Sequence, residues 1–222
     1  MQRARAVAIF LITTLLLILP ALMLIYQQEK FQLHAWLNQH HTPGADLFFS
    51  WATHLADGWV PVIVSIALLL FRDLRSFLMM GLSTGISALL VQFLKRMIFE
   101  SWDRPFMHKD ELGEMGWVIG IEMNHHFSFP SGHATCAFSM CLALVVIAGR
   151  TRWSVPLALL AALLAFSRVY LSQHFMEDIA AGSLIGTATA SIFYLLLYKG
   201  PRAADQRFDR RPFRKRAVNP RN

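Results

Sequence analysis

The chain has 222 residues, of which 55% are hydrophobic and 16% are charged. Soluble proteins average about 25% charged residues, so this composition excludes an ordinary soluble domain. The formal net charge of +7 would suit nucleic-acid binding, but its distribution along the chain indicates membrane topology instead. Because the apolar residues are concentrated in blocks, we expect an integral membrane protein.

Six apolar stretches are candidates for membrane-spanning helices. The first, residues 6–26, is free of charge and long enough to cross about 30 Å of hydrocarbon. It follows Arg3 and Arg5, but it is longer than a signal-peptide core and no clear cleavage site follows, so we interpret it as an uncleaved span. The second, residues 59–71, is short unless its helix begins near Ala52. The other four are residues 77–94, 134–148, 155–171 and 179–198.

Six spans place both termini on the same side of the membrane. That side carries 15 of the 21 Lys and Arg residues, and the positive-inside rule therefore assigns both termini to the cytoplasm. We expect an all-α integral membrane protein, a bundle of six transmembrane helices over residues 1–198. Residues 199–222 form a basic, polar cytoplasmic tail that we expect to be disordered. Nucleic acid is not an expected partner, and the sequence is silent on oligomeric state.

The opposite, outer side holds all nine histidines and five of the six tryptophans. Tryptophans are typical of the membrane interface. The first outer segment, residues 31–55, has the pattern of an amphipathic helix lying in that interface. We interpret its histidines as solvated surface residues and give them no catalytic role.

Cysteines and glycines carry no chemistry in this interpretation. Cys136 and Cys141 are five apart in one apolar run, so a disulfide between them is not expected and neither spacing suits a metal site. Glycine pairs four apart allow helices to approach closely. Two such pairs are interpreted as packing sites, Gly81 with Gly85 and Gly182 with Gly186.

Three polar segments lie at the outward ends of predicted helices, so they can converge on one pocket. They are "KRMIFESWDRP" at 95–105, "FPSGH" at 129–133 and "SRVYLSQHFMED" at 167–178. Arg168 lies inside an apolar span. An arginine at a helix centre costs about 2.5–3.5 kcal/mol to insert, and less near the interface, so such a charge is usually functional.

Together the three segments fit a phosphate ester. Their cations suit a dianionic phosphate, and backbone N–H groups at Ser131–Gly132 add donors at a helix N-terminus. His133 and His174 supply an acid and a nucleophile, and Asp178, one helical turn from His174, can hold that ring. Taken singly, each feature also has a plain structural explanation: a snorkelling cation, a helix-capping serine, a structural hydrogen bond.

These segments resemble the type 2 phosphatidic acid phosphatase family, whose superfamily includes glucose-6-phosphatase and vanadium haloperoxidases. Its motif is K-x6-RP, then PSGH, then SR-x5-H-x3-D. The second and third parts match at 130–133 and 167–178. In the first part, eight residues separate Lys95 from Arg104, and the strictly spaced position is Met97. We take Lys95 as the equivalent lysine, with Arg96 as the competing candidate.

The resemblance implies a mechanism without metal or other cofactor. His174 attacks phosphorus to form a phosphohistidine, and Asp178 orients it. His133 protonates the leaving group and then activates water. The residues implied in binding the phosphoryl oxygens are Lys95, Arg104, Ser131, Gly132 and Arg168.

We therefore expect a membrane lipid phosphatase of a bacterial inner membrane, with its site facing the periplasm. Candidate substrates are undecaprenyl diphosphate, phosphatidic acid, phosphatidylglycerol phosphate and the phosphates of lipid A. One alternative is a phosphotransferase that passes the phosphate to a second lipid. Another is a non-enzymatic anion-binding or transport protein, which would need the cations but not both histidines.

Overall fold

The computed structural model describes residues 1–211 and residue 213, and their regular elements are helices. The α-helices are α1 (Gln2–Gln27), α2 (Lys30–Leu37), α3 (Pro43–Ala52), α4 (Trp59–Phe71), α5 (Leu74–Met97), α6 (Lys109–Leu112), α7 (Gly132–Ala148), α8 (Ser154–Tyr170) and α9 (Met176–Tyr194). Short 3-10 turns join several of them, and Leu195–Lys199 continues α9 as a π-helical turn.

Within the described residues, four helical runs are long and apolar enough to cross a membrane: Gln2–Gln27, Leu74–Met97, Thr151–Tyr170 and Met176–Lys199. The pair Pro43–Ala56 and Trp59–Phe71 passes the same test together, but it bends by 50°. The helix of the second expected span therefore does not run on unbroken from Ala52, because a 3-10 turn and Asp57–Gly58 interrupt it. The all-α membrane fold is confirmed, and helix length and composition give four or five spans among the described residues. Six spans and the cytoplasmic location of both termini remain predictions.

α7, which corresponds to the fourth predicted span, is the central helix. It has only 17 residues, of which 12 are buried, and it packs against α1, α5, α8 and α9. Two glycines of α9 make the closest approach possible, since a Cβ at Gly182 or Gly186 would collide with a carbonyl oxygen of α7. Thr135 also donates to the Gly182 carbonyl oxygen at 3.0 Å. The predicted packing role of these two glycines is confirmed.

α1 lies at the edge of the bundle and presents apolar side chains outward. Its exposed large residues include Ile12, Leu15, Leu16, Leu19 and Met23. Its opposite face buries Ala6, Phe10 and Ile18 in the core. An apolar outer face on a helix of spanning length is the pattern expected where lipid replaces water as the solvent.

The first outer segment differs from the expected interfacial helix. It divides into α2 and α3, and α2 packs beneath the loop that precedes α9. His34 is 1% exposed, and its Nε2 lies 3.2 Å from the Ser172 hydroxyl. Its ring also packs edge-on against Phe175, with centroids 5.1 Å apart. Burial, and then the charge of Lys30, lower the pKa of His34 to about 3, so the prediction of a solvated surface histidine is wrong.

The tail begins with ordered turns. Pro201–Ala204 and Gln206–Asp209 form 3-10 helices, and the buried Arg75 of α5 bonds the Asp209 carboxylate at 2.8 Å. The same guanidinium donates to the carbonyl oxygens of Leu197 and Arg202. These contacts of the tail satisfy the buried guanidinium of Arg75. Residues 212 and 214–222 lie outside the described part of the chain.

Candidate active site

His174 and Asp178 form a buried pair where the α8–α9 loop enters α9. The exposed fractions are 1% for His174 and 0% for Asp178. Oδ2 of Asp178 lies 3.2 Å from His174 Nδ1 and accepts hydrogen bonds from the Phe175 N–H at 3.0 Å and the Ser128 hydroxyl at 2.5 Å. A carboxylate at Nδ1 favours the tautomer with the proton on that nitrogen, which leaves the lone pair on Nε2. That nitrogen is then the nucleophilic one.

Four charged or titratable side chains lie near enough to act electrostatically on the His174 ring. Burial lowers the pKa of His174 well below its ordinary value of 6.5, and Arg104, Lys95, Arg168 and His133 lower it further. These residues come from all three sequence segments, so the structure brings the predicted set together around one ring. At neutral pH the ring is uncharged, as a nucleophile must be.

Lys95 lies in the last turn of α5 and is 6% exposed. Its ammonium donates to the Phe127 carbonyl oxygen at 2.5 Å and lies 3.4 Å from the Ser128 carbonyl oxygen. Arg96 is exposed, so of the two candidates for the first motif Lys95 is the one whose charge acts on His174. α5 ends at Met97, and the turn that follows accommodates the longer spacing to Arg104.

Arg104 ties the long outer loop to the segment that carries His174. Its Nε donates to the His126 carbonyl oxygen at 2.9 Å, and Nη1 donates to the Gln173 carbonyl oxygen at 3.1 Å. Gln173 is 1% exposed, and its own amide donates to the Glu122 carbonyl oxygen at 3.0 Å. A guanidinium carries five N–H donors, so Arg104 keeps donors for an anion after these contacts.

Arg168 lies in the last turn of α8 and is 8% exposed. Its Nη1 donates to the Thr53 hydroxyl at 2.9 Å. Its Nε is buried and has no hydrogen-bond partner among the described residues. Buried donors are nearly always satisfied, so an unpaired guanidinium N–H beside a histidine pair points to an absent acceptor such as a phosphoryl oxygen.

His133, the second residue of α7, has a partner that the sequence analysis missed. Its Nε2 lies 2.9 Å from Oδ1 of Asp57, in the break between the 3-10 turn and α4. The other oxygen of Asp57 lies 2.8 Å from Nδ1 of His54, whose side chain is 65% exposed. In the sequence, Asp57 is marked only as an outer-side carboxylate just before the second predicted span, residues 59–71. Asp57 therefore connects His133 to an exposed histidine.

Ser131 and Gly132 lie at the N-terminus of α7, but their hydrogen-bonding groups have different partners. The Ser131 hydroxyl accepts from the Ala134 N–H at 3.4 Å, the N-cap role that the sequence allowed for. The Ser131 N–H donates to the Asp178 carbonyl oxygen at 2.9 Å. The sequence analysis expected this N–H to be free for an anion, and it is not. Gly132 begins the helix, and its N–H is one of the amides that a helix leaves unpaired at this end.

Ser128 is the second residue that the sequence analysis missed. Besides its 2.5 Å bond to Asp178, its hydroxyl lies 3.5 Å from His174 Nδ1, and the residue is fully buried. It stands just before the PSGH turn, so the signal was its position beside a recognised motif. Its hydroxyl links the second motif to the third.

Two cavities flank the site and differ in character. The polar one, of about 480 Å³, is lined by residues that include Lys95, Arg96, Arg104 and His126. The apolar one, of about 470 Å³, is a groove between α4, α5 and α7 that is lined at one end by Gly132 and His133. Gly85 also lines this groove, and a Cβ placed there would meet no described atom outside its own helix backbone within 4 Å, so its predicted packing role is wrong. In residues 1–211 and 213, no three His, Cys, Asp or Glu side chains are placed to hold a metal ion.

Two relatives in sequence are named as phosphatases of lipids. Lipid A 4'-phosphatase of Bacteroides thetaiotaomicron is 28% identical over 176 residues, which cover 76% of this chain and 76% of that protein. The putative undecaprenyl-diphosphatase YbjG of Escherichia coli is 36% identical over 101 residues, 40% of this chain and 46% of that protein.

Solved structures share the fold. LpxE of Aquifex aeolicus superimposes with a TM-score of 0.64 at 27% identity, over 76% of this chain and 97% of that one. A phosphatidylglycerolphosphate phosphatase of Bacillus subtilis gives a TM-score of 0.62 at 21% identity, over 89% of this chain and 98% of that one. The model of the PAP2 superfamily matches residues 76–202, more than half of the chain. The chain therefore belongs to the PAP2 superfamily, as the resemblance of its three motifs predicted.

Proposed function

We propose that this member of the PAP2 superfamily is a metal-independent lipid phosphatase that works through a phosphohistidine on His174. The observation that carries the proposal is the neutral, buried His174 ring, held by Asp178 and surrounded by three cations. A binding protein would use the cations alone. A nucleophile also needs a fixed tautomer, and the three contacts on one Asp178 oxygen supply it.

In the first step, Nε2 of His174 attacks phosphorus and the bond to the leaving oxygen breaks. Lys95, Arg104 and Arg168 neutralise the charge on the phosphoryl oxygens in the transition state. Asp178 stabilises the positive charge that the ring gains. His133 donates a proton to the leaving oxygen, so the lipid departs as an alcohol or as a monophosphate.

In the second step, His133 accepts a proton from water, and that water attacks the phosphohistidine. The N–P bond breaks, inorganic phosphate forms, and His174 returns to its neutral state. The position of His133 suits both steps, because its side chain is 28% exposed and is reached by water. Asp57 stabilises the protonated ring during this exchange and opposes burial and the charge of Arg168, which lower the pKa of His133 to about 3.

The two cavities favour a lipid substrate. The apolar groove offers α4, α5 and α7 surfaces to an acyl or prenyl chain, and it ends beside His133. The polar cavity offers Lys95, Arg96 and Arg104 to the head group. The names of the relatives, lipid A 4'-phosphatase and undecaprenyl-diphosphatase, support a lipid phosphate or diphosphate. The charge distribution of the loops supports a site on the periplasmic face of a bacterial inner membrane.

The test is phosphate release by purified protein in EDTA from a panel of lipid phosphates and diphosphates, with wild type beside His174→Ala. We expect release by the wild type and none by the variant. His40→Ala is the matched control, since His40 is exposed and lines neither cavity. Release that depends on added metal, or that persists in His174→Ala, would contradict the proposal.

A further inference from the structure

A second basic pocket lies at the far end of the bundle from His174. There a cavity of about 220 Å³ is lined by residues from four segments: the start of α1, the α4–α5 turn with the start of α5, the end of α9, and the tail. Arg75 and Lys95 are both on α5, 20 residues apart, which is about 30 Å along a helix. The two pockets are therefore separate, and the mechanism above does not use the far one.

Three arginines line this cavity. Arg75 is committed, since it pairs with Asp209 and bonds several carbonyl oxygens. Arg3 donates from Nε to the Val146 carbonyl oxygen at 2.8 Å and stacks over the Tyr198 ring at 4.5 Å. Its two terminal nitrogens remain for a ligand.

Arg72 is held in a similar way and also keeps N–H donors for a ligand. Its Nη2 donates to the Ile147 carbonyl oxygen at 2.8 Å, and its Nε lies 3.5 Å from Asp73. Both Arg3 and Arg72 are thus anchored by the C-terminal end of α7, with N–H groups left at the cavity. Anchored guanidinium groups lose less entropy when they bind an anion than free surface side chains do.

The charge of the lining identifies the ligand class. Three arginines face two carboxylates, Asp73 and Asp209, so the lining carries one excess positive charge. We propose that this cavity binds a singly charged phosphate group, supplied by an anionic phospholipid head group or by free phosphate. Its place at the ends of spanning helices is where a lipid head group lies, and basic pockets between such helices bind anionic head groups.

Binding there would have a structural effect. A phosphate held between Arg3 and Arg72 joins α1 to the α4–α5 turn, while Arg75 already joins α5 to the tail. The bound state therefore adds a link between α1 and the α4–α5 turn to the contacts already present at this end. We expect it to raise the thermal unfolding midpoint of the full-length protein.

The experiment measures that midpoint in detergent with phosphatidylglycerol, phosphatidylcholine or inorganic phosphate added. Phosphatidylglycerol is a phosphodiester with one negative charge, and phosphatidylcholine is zwitterionic. We expect phosphatidylglycerol to stabilise the wild type and phosphatidylcholine not to. The double variant Arg3→Gln, Arg72→Gln should weaken the apparent affinity for phosphatidylglycerol by about 10-fold or more. The matched control, Arg5→Gln with Arg152→Gln, removes the same charge from the same end but not from the cavity, and should bind as wild type does.

Each outcome decides the proposal. Protection by inorganic phosphate that the double variant loses supports the site and names free phosphate as the ligand. Equal protection by both lipids, or equal loss in the double variant and its control, overturns the site. If the double variant does not fold, Arg72→Gln alone, read against Arg152→Gln, gives the same decision. The result is independent of the proposed phosphatase, since no substrate is turned over.

Discussion

The two histidines of the active site have opposite surroundings. His174 is 1% exposed, and its carboxylate partner Asp178 receives three contacts on one oxygen. The His133 side chain is 28% exposed, and its partner Asp57 is shared with the exposed His54. The difference fits the roles proposed above for the two rings. A nucleophile needs one fixed orientation and no competing water, whereas a group that gives and takes protons needs a path to water.

The largest effect that sharpens this comparison is expected from Asp178→Asn. The amide keeps the shape of the side chain but removes the charge that fixes the His174 tautomer, so we expect a loss on the order of 10³- to 10⁴-fold in kcat. Steady-state phosphate release measures it. Glu177→Gln is the control, because Glu177 pairs with Lys30 at 2.9 Å and not with His174. Comparable losses in both variants would mean that local charge, and not the His174 contact, matters.

His133→Ala should lose about 10²- to 10⁴-fold in kcat, the usual range for a general acid or base. The first task of His133 is to protonate the leaving oxygen. The variant's loss in the rate of phosphoenzyme formation should therefore be smaller for a 4-nitrophenyl phosphate ester, whose leaving group needs no proton, than for a lipid phosphate. Pre-steady-state measurements with both leaving groups check this. A loss that is the same for the two would contradict the assignment of His133 as the acid.

Ser128→Ala removes the donor that lies 2.5 Å from Asp178. A hydrogen bond to a buried charged group contributes about 1.5–3 kcal/mol, so we expect a loss of about 30-fold in kcat with little change in KM. Ser128→Thr, which keeps the hydroxyl, should recover most of the rate. Ser139→Ala is the control, since that buried hydroxyl bonds carbonyl oxygens of its own helix. A change in KM alone would assign Ser128 to substrate binding.

Asp57→Asn should lower the rate by about 10-fold, because Asp57 positions His133 without contacting the substrate. The loss should vanish in a His133→Ala background, as a double-mutant cycle would report. Asp46→Asn is the control carboxylate on the same outer segment, bonded to Tyr170 at 2.6 Å. Additive losses would show that Asp57 acts on something other than His133.

The smallest effect is a shift in pH dependence. Burial and neighbouring cations, Arg104 first among them, lower the pKa of His174 well below 6.5. The neutral His174 ring is the active form, so the acid limb of activity is the loss that occurs as the pH falls through that lowered pKa. Arg104→Gln raises the pKa toward 6.5, and the acid limb of kcat/KM should move to higher pH. Arg96→Gln, which removes an exposed cation, should leave the limb in place, and an acid limb unmoved in Arg104→Gln would contradict the account.

The parts of the site that sequence predicts are those fixed by local spacing. His174 and Asp178 are one helical turn apart at the start of α9, and the PSGH turn begins α7. Local spacing therefore predicts that both motifs lie at helix ends. The fold class followed from the same apolar blocks that became α1, α5, α8 and α9.

The missed parts depend on contacts distant in sequence. Asp57 is 76 positions from His133, and only the 50° bend before α4 brings it there. Ser128 reaches Asp178 across 50 positions because of the path of its loop. His34 was expected at the surface because residues 31–55 have the pattern of an amphipathic interfacial helix. It is buried because α2 packs under Ser172 and Phe175. Periodicity carries no information on such packing.

The most direct test of the central claim is to locate the phosphoryl group on the enzyme. His133→Ala should slow hydrolysis of the intermediate, so this variant, mixed with a 4-nitrophenyl ester and quenched in alkali, should accumulate it. Mass spectrometry of the digested protein should then find one phosphoryl group on His174, and none in a His133→Ala, His174→Ala double variant. A phosphoryl group on another residue, or on no residue while turnover continues, would contradict the assignment of His174 as the nucleophile.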